Sequence, residues 1–467
     1  MKRFATVLGL GLLLAVSAAR PPAAGEGPLP KDDGYRGIWY ANQPSNDEYK
    51  YKYSGGLATY PQQHIPIAVY AKEAHKTFFC YGGTVRGKNE LLHMVAYYDH
   101  ATGQVPRPTI LLNKKTDDAH DNPTLQIDDR GHLWVFSNAH GKARPSYIHR
   151  STQPYSVDAF ERVLTTNFSY SQPWHRPGKG FLFLHTRYSP GRHLFAMTSP
   201  DGRKWADPQP LARFGQGHYQ VSWRHGDRVG TAFDYHPEKG GLNARTNLYY
   251  LETRDFGKTW QTAAGRPVPT PLTEIDNPAR VREYQSAGLL VYLKDLAFDA
   301  DGRPVILYLT SKGYASGPAN DPRTWYTARW TGTTWEVRPF TTSDHNYDHG
   351  SLTIEPDGCW RVIAPTDPGP QRYNPGGEVV LWTSRDQGAT WTKEKVLTRG
   401  SRYNHTYVRR PVNAHPDFYA FWADGDTRQP SDSCLYFTNR TGDTVWRLPT
   451  RMTTDFARPE ALAPPAP

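Results

Sequence analysis

Two histidines, His120 and His140, stand at the two ends of a stretch that the sequence predicts to be a β-hairpin. An apolar strand follows Pro123, residues 128–131 supply a polar turn, and a second apolar strand returns towards His140. Because the two ends of a hairpin meet at one edge of a sheet, we expect the two imidazoles to lie close together. A histidine there can exchange a proton near neutral pH, bind a metal ion, or hydrogen-bond to a strand end.

The hairpin pattern is repeated along the chain. A polar residue, often histidine, precedes an apolar strand, a polar turn and a second apolar strand. The copies follow one another at intervals of roughly 50 residues, and this interval is the length of a four-stranded propeller blade. One interval is longer than the others. The copies begin at His64, His120, Tyr170, His218, Lys294, His349 and His405.

A second motif agrees with the repeats. The stretches 253–260 and 384–391 both match the Asp-box pattern S/T-x-D-x-G-x-T-W, and 199–205 is a partial copy. In this motif Asp and Gly form a tight turn and Trp packs beside it, so the motif indicates fold and not chemistry. With 29 Tyr, 18 Phe and 14 Trp and almost no helix-period segments, the sequence predicts an all-β, seven-bladed β-propeller.

The blade geometry then predicts a shared site. The first strands lie innermost, so the seven opening residues should form a ring on one face near the axis. The residues that end the second strands should lie just outside this ring, in a concave basic site; these are His140, Arg187, Tyr235 and His236. Each histidine alone could instead be a structural residue. A metal is a further alternative, with Asp344, His345, Asp348 and His349 as its ligands.

The net charge and composition of the chain favour some classes of binding partner over others. The net charge is +10, from 55 Lys and Arg against 45 Asp and Glu, which favours an acidic partner such as a polyanionic glycan, although a basic solvated surface explains it equally well. No nucleic-acid motif is recognisable, and three scattered cysteines give no disulfide framework.

The two ends of the chain differ in composition from its middle. A basic start, an apolar run too short to span a bilayer and small residues near Ala18 predict a signal peptide over 1–19. We expect a linker over 20–33, the propeller over 34–450 and a loose Pro/Ala-rich tail over 451–467. The protein should be secreted or periplasmic, not membrane-bound, and a monomer.

Three stretches carry a resemblance to a known family. The run 51–56, the hairpin from His120 to His140, and the hairpin from Tyr170 to Arg187 resemble the BNR-repeat propellers that include the ulvan lyases and related rhamnosyl-glucuronate lyases and rhamnosidases. The resemblance implies a polysaccharide lyase in which Tyr170 acts as base and acid, His120 and His140 assist, and Arg187 neutralises a uronate carboxylate. Tyr188, beside that arginine, is the alternative catalytic tyrosine.

These residue types suit β-elimination from a uronate. The proton removed is α to a carboxylate, a cation stabilises the charge that develops, and tyrosine can shuttle the proton. No cofactor is required, and a structural metal ion is possible. Binding of the polymer is assigned to His64, Tyr188, His218, Tyr235, His236, Lys294, His349 and His405. Two alternatives remain: a rhamnosidase-like glycoside hydrolase, with His64 as its candidate, and a non-catalytic glycan-binding propeller.

Overall fold

The computed structural model describes residues 27–57 and 64–462, so the predicted signal peptide lies outside the described residues. The first element is a hairpin of β1 (Tyr40–Pro44) and β2 (Tyr51–Gly55). It is followed by seven sheets of consecutive antiparallel strands, which confirms the predicted seven-bladed β-propeller. Among the described residues, no helix has the length and apolar character needed to cross a membrane.

The first four blades each contain four strands in chain order. Blade 1 contains β3 (Ala68–Ala71), β4 (Lys76–Gly83), β5 (Leu92–Asp99) and β7 (Thr109–Asn113), with the short β6 (Val105–Pro106) outside it. Blade 2 contains β8 (Pro123–Ile127), β9 (Leu133–Ser137), β10 (Ser146–Ser151) and β11 (Phe160–Thr166). Blade 3 contains β12 (Ser169–Arg176), β13 (Gly180–Tyr188), β14 (Arg192–Ser199) and β15 (Gln209–Ala212). Blade 4 contains β16 (Gln220–His225), β17 (Arg228–Tyr235), β18 (Thr246–Thr253) and β19 (Arg280–Arg282).

The last three blades continue the pattern, and blade 7 gains a fifth strand. Blade 5 contains β20 (Leu290–Phe298), β21 (Pro304–Ser311), β22 (Arg323–Trp330) and β23 (Trp335–Ser343). Blade 6 contains β24 (Ser351–Ile354), β25 (Trp360–Asp367), β26 (Glu378–Ser384) and β27 (Thr392–Val396). Blade 7 contains β28 (Asn404–Arg409), β29 (Ala420–Gly425), β30 (Leu435–Thr438), β31 (Val445–Arg447) and, beyond the short β32 (Phe456–Ala457), β33 (Glu460–Leu462). Short 3-10 turns occupy Lys72–Ala74, Ala119–Asp121, Gly241–Ala244 and Pro318–Asn320.

The Asp boxes lie in the turns between the third and fourth strands. In the box of blade 6, the Gly388 N–H donates to the Ser384 hydroxyl at 2.9 Å and the Thr390 hydroxyl donates to Asp386 at 2.6 Å. Gly388 has φ +84°, and a Cβ there would stand 2.8 Å from the Trp360 ring. The glycine is therefore required both by its backbone conformation and by the close approach of the ring.

The ring closes between blade 7 and blade 1 without a strand shared by the two sheets. Instead, Gly37 forms single bridges to Gly83 of blade 1 and Ser433 beside blade 7, and β32 pairs with β6. Residues 451–462, predicted as part of a loose tail, thus differ from that prediction: they supply β32 and the edge strand β33. Residues 27–33 of the predicted linker also touch the blades, since Lys31 bridges to Thr109.

Candidate active site

The two histidines at the ends of the β8–β9 hairpin are stacked face to face. His120 lies in the 3-10 turn before β8 and His140 follows β9; their ring centroids are 3.9 Å apart and the planes differ by 15°. Between them, Asp118 accepts a hydrogen bond from Nδ1 of His120 at 2.5 Å and from Nδ1 of His140 at 2.7 Å. One carboxylate therefore fixes both rings with the Nδ1 nitrogens as donors, which leaves Nε2 of each ring able to accept a proton.

The carboxylate that joins the two rings is itself held in place. Burial opposes its charge, but the hydrogen bonds from His120 and His140 hold the pKa of Asp118 far below its usual range. Arg144 lies 3.4 Å from Asp118 and donates to Asp121 at 2.8 Å, and Asp121 in turn accepts the His140 backbone N–H at 2.6 Å. Asp118, His120 and His140 are close enough to hold a metal ion, but such an ion would have to replace both Asp118 hydrogen bonds.

Two tyrosines of blade 3 come together beside this pair. Tyr170 has φ +53° at a bulge in β12, and its hydroxyl lies 3.3 Å from the Tyr188 hydroxyl. The Tyr188 ring centroid is 6.0 Å from that of His140. Burial raises the pKa of Tyr170 well above its usual value, so its hydroxyl stays protonated, whereas Tyr188 is only partly buried. The His64 ring lies 5.6 Å from the Tyr170 ring, and its Nε2 is hydrogen-bonded to the His120 carbonyl at 2.9 Å.

Three basic side chains lie against the tyrosines. The Arg192 guanidinium stands 5.4 Å from the Tyr188 ring centroid, and Arg245 is buried against Tyr219 and Tyr292, 4.9 and 4.5 Å from their rings. Lys52 is buried beside Asn243, whose side-chain oxygen accepts its hydrogen bond. Burial, with the nearby charges of Arg245 and Arg192, lowers the pKa of Lys52 to about 6. Arg192 and Arg245 therefore make the site cationic, and Lys52 can take up a proton when an anion binds.

The β1–β2 hairpin contributes to the same site. The Tyr53 hydroxyl lies 3.3 Å from Nε2 of His120, and the Tyr40 ring meets His120 edge-on at 5.5 Å. Sequence reasoning missed Lys52 and Tyr53 as site residues, although the run that contains them was part of the family resemblance. It also missed Asp118, Arg192, Tyr219 and Arg245. For Asp118 a usable pattern existed, because it stands two residues before His120.

Some residues assigned to the site point elsewhere. Arg187 and Tyr188 are neighbours on β13 and so face opposite sides of the sheet; the Arg187 guanidinium lies 5.9 Å from the Phe195 ring, away from the two tyrosines. His218 packs on Phe214 at 4.3 Å, and the next residue, Tyr219, faces the cluster instead. Tyr235 also packs on Phe214, at 5.5 Å.

The remaining assigned residues lie around or below the cluster. His236 is 4.6 Å from the Tyr219 ring, with Nε2 3.2 Å from Asp234. His349 stacks on Tyr407 at 5.1 Å, and Lys294 is fully buried and donates to the Asn346 carbonyl at 2.7 Å.

His405 is separate from these residues. It accepts from the Trp422 indole at 3.0 Å and lines another cleft, of about 760 Å³, on blade 7. The proposed Asp344–His349 ligand set is engaged within its loops: Asp348 accepts backbone N–H groups of His345 and Gly376 at 2.8 and 2.7 Å, and Asp344 pairs with Arg372 at 2.9 Å.

The fold and site define a propeller with a histidine- and tyrosine-lined basic centre, and the comparisons with known proteins agree. Residues 88–343 match the model of the BNR repeat-containing family, and the chain belongs to that family. It is 23% identical over 342 residues to an ulvan lyase of Nonlabens ulvanivorans, covering 65% of this chain and 70% of the relative. An ulvan lyase (PL25) of Pseudoalteromonas sp. (strain PLSV) is 23% identical over 374 residues, covering 69% and 74%.

A solved structure has the same fold. It is a PL25 ulvan lyase, also determined bound to -[GlcA(1-4)Rha3S]-, with a TM-score of 0.68 and 18% sequence identity. The similarity covers 89% of this chain and 96% of that chain. At this identity the likeness establishes the shared propeller fold.

Proposed function

We propose that this protein is a polysaccharide lyase that cleaves a uronate-containing glycan, ulvan-like or rhamnosyl-glucuronate, by β-elimination. The observation that carries the proposal is the position of the Tyr188 ring, 6.0 Å from the ring of His140 in the Asp118-fixed pair and 5.4 Å from the Arg192 guanidinium. The names of the related ulvan lyases support the same reaction class. The net charge of +10 suits an acidic polymer.

The reaction needs a base, an acid and a cation. The base removes the proton at C5 of the uronate, α to its carboxylate, and the electron pair of that bond forms the C4=C5 double bond. The C4–O4 bond breaks with its electrons on oxygen, and the acid donates a proton to the departing O4. A cation on the carboxylate stabilises the developing charge. Arg192 fits this role because it lies against Tyr188, and Lys52 and Arg245 lie behind it.

Tyr188 is the better candidate for moving the proton. Its ring lies near both His140 and Arg192, and its side chain is only partly buried, so a sugar can reach it. Tyr170 is fully buried, and its raised pKa makes it a poor base; it fits the role of a hydrogen-bond partner that positions the Tyr188 hydroxyl at 3.3 Å. Nε2 of the neighbouring His140, whose Nδ1 is held by Asp118, is the candidate to accept a proton from Tyr188.

The hydrolase alternative has less support from the site. Most glycoside hydrolases use two carboxyl groups, one on each side of the scissile bond. The two carboxylates beside the histidine pair, Asp118 and Asp121, are both occupied by hydrogen bonds from His120, His140 and Arg144. Export and a monomeric state stay predictions from the sequence.

The test is the ultraviolet absorbance of purified protein mixed with ulvan and with other uronate polymers. We expect a rise from the new C4=C5 bond, lost in Tyr188→Phe and reduced but measurable in Tyr170→Phe. Full loss in Tyr170→Phe with retained rate in Tyr188→Phe would exchange the roles of the two tyrosines. Release of free rhamnose without absorbance would indicate the hydrolase, and binding without either product would indicate a glycan-binding propeller.

A further inference from the structure

Three histidines form a second cluster on the face of the propeller opposite the candidate active site. His75 ends the turn between β3 and β4, His100 directly follows β5, and His415 lies between β28 and β29. The ring centroids of His100 and His415 are 3.9 Å apart, and that of His75 is 5.4 Å from each. The cluster therefore joins blade 1 to blade 7 at the seam that has no shared strand.

The donor set is one that divalent transition metals take. Ligand atoms of His100, His415 and the Asp417 carboxylate all lie within 4.8 Å of one another, and Asp417 Oδ2 is 3.7 Å from His415 Nδ1. Imidazole nitrogens with a carboxylate oxygen suit Zn²⁺ in tetrahedral geometry, and His75 stands where a fourth donor could come from.

The histidines are also oriented as metal ligands are. His100 Nε2 is bonded to the Thr77 hydroxyl at 2.8 Å, and its buried Nδ1 has no hydrogen-bond partner among the described residues. His75 Nδ1 is bonded to the Tyr70 hydroxyl at 3.1 Å, which leaves its Nε2 available. Metal-binding histidines commonly use their second nitrogen in this way to fix the ring. At His415, a metal at Nδ1 would replace the 3.2 Å hydrogen bond from the Asp417 backbone N–H.

We propose that His100, His415 and Asp417, with His75 as fourth donor, bind a divalent ion of the Zn²⁺ type that links blade 1 to blade 7. The ion adds a cross-link between segments more than 300 residues apart in sequence, beside the Val69–Val412 bridge that also joins blade 1 to this segment of blade 7. Its role is to stabilise ring closure, because a ligand that binds only the folded state raises the melting temperature. This site is independent of the proposed lyase activity.

The test uses the full chain, stripped with a chelator and then supplied with Zn²⁺, Co²⁺ or Mg²⁺. We expect one tightly held Zn²⁺ per chain by elemental analysis, a melting temperature higher by a few degrees, and the visible spectrum of tetrahedral Co²⁺. Mg²⁺ should have no effect. His100→Gln and His415→Gln should each lose the ion and its melting-temperature shift, while the rate of glycan cleavage at room temperature stays unchanged.

A control separates this cluster from the other candidate metal site. His140→Ala removes a member of the Asp118–His120–His140 group, and it should keep the ion. Loss of the ion in His140→Ala with retention in His100→Gln would overturn the proposal, as would wild-type protein that holds no Zn²⁺ and shows no Co²⁺ spectrum. The wild-type spectrum decides the question even if a variant fails to fold.

Discussion

His120 and His140 are held in parallel by one carboxylate: Asp118 accepts a hydrogen bond from Nδ1 of each ring, and the ring centroids lie 3.9 Å apart. The residues are 20 apart in sequence because a whole hairpin separates them. The arrangement fixes the tautomer of both rings with a single side chain, so the histidine pair depends on Asp118 for its chemistry.

We predict that Asp118→Asn lowers the rate of glycan cleavage by roughly 10²-fold or more. The amide oxygen can still accept from one imidazole, but its NH2 group would face the Nδ1–H of the other and force a ring to turn. The initial rate of absorbance increase measures the effect. Asp117→Asn, at the exposed neighbouring residue, is the matched control and should be near wild type; equal rates in both variants would contradict the role of Asp118.

Arg187 and Arg192 lie on opposite faces of blade 3, so substituting each in turn tests which face takes part in the reaction. We expect Arg192→Gln to reduce kcat/KM by about 10²-fold, because it removes the cation beside Tyr188. Arg187→Gln should change kcat/KM by no more than about threefold, since Arg187 lies on the opposite face beside Phe195. The reverse ranking would restore the role that the family resemblance gave to Arg187.

Binding of the acidic glycan should be coupled to proton uptake at Lys52. In the free protein, burial and the charges of Arg245 and Arg192 lower its pKa to about 6, and a bound carboxylate favours the charged amine. Affinity should therefore weaken as the pH rises from about 6 to 8, by up to about tenfold per pH unit. Calorimetry on the Tyr188→Phe background measures this. Lys52→Met should remove the pH dependence, and an unchanged slope in that variant would exclude Lys52 as its source.

The fold should lose stability in mild acid. Burial lowers the pKa of His185 and of His218 to about 3, whereas an unfolded histidine titrates near 6.5. Below about pH 6.5 the unfolded chain binds protons that the folded protein refuses, so each histidine costs about 1.4 kcal/mol per pH unit until its folded pKa is reached.

Urea unfolding at about pH 7.5 and 5 measures this loss. His218→Gln should lessen the difference in unfolding free energy between the two pH values. A stability that does not change over this pH range would contradict the prediction.

Gly388→Ala should destabilise the protein more than Gly178→Ala does. Both glycines have positive φ, +84° and +71°, so both variants incur a backbone cost of about 1 kcal/mol. At Gly388 the new Cβ also stands 2.8 Å from the Trp360 ring, whereas at Gly178 nothing lies within 4 Å. We expect a further 1–3 kcal/mol, roughly, for this overlap, measured from urea unfolding midpoints. Equal losses would show that the ring moves aside at little cost.

The sequence predicts the fold well because propeller blades repeat. Seven hairpin copies and the Asp boxes together specify the blade count and the face on which the first strands begin. The stacked histidines follow from the same reasoning, since the two ends of one hairpin must meet. Tyr170 also lies where the first-strand ring requires, next to this pair.

Other site residues depend on features that a repeat does not specify. Strand alternation separates Arg187 from Tyr188, and the arginine that reaches Tyr188 comes from across the β13–β14 hairpin, where the register places Arg192 opposite Tyr188. In blade 4 the predicted position is off by one residue, since Tyr219, and not His218, faces the candidate active site. Lys52 precedes the first repeat, so the periodicity gave it no position. His100 and His415 lie in connecting segments, which the repeat pattern ignores.

Because Tyr170 lies in a bulge, its side chain faces the channel while its backbone takes no part in the pairing of β12 with β13. Ser169 and Gln172 on either side pair normally with β13, so the side chain at Tyr170 can change without altering a single strand pairing. Tyr407 occupies a comparable bulge in the first strand of blade 7, also with positive φ. At both bulges of this chain, a single substitution can change the side chain near the axis while the strand pairing stays as it is.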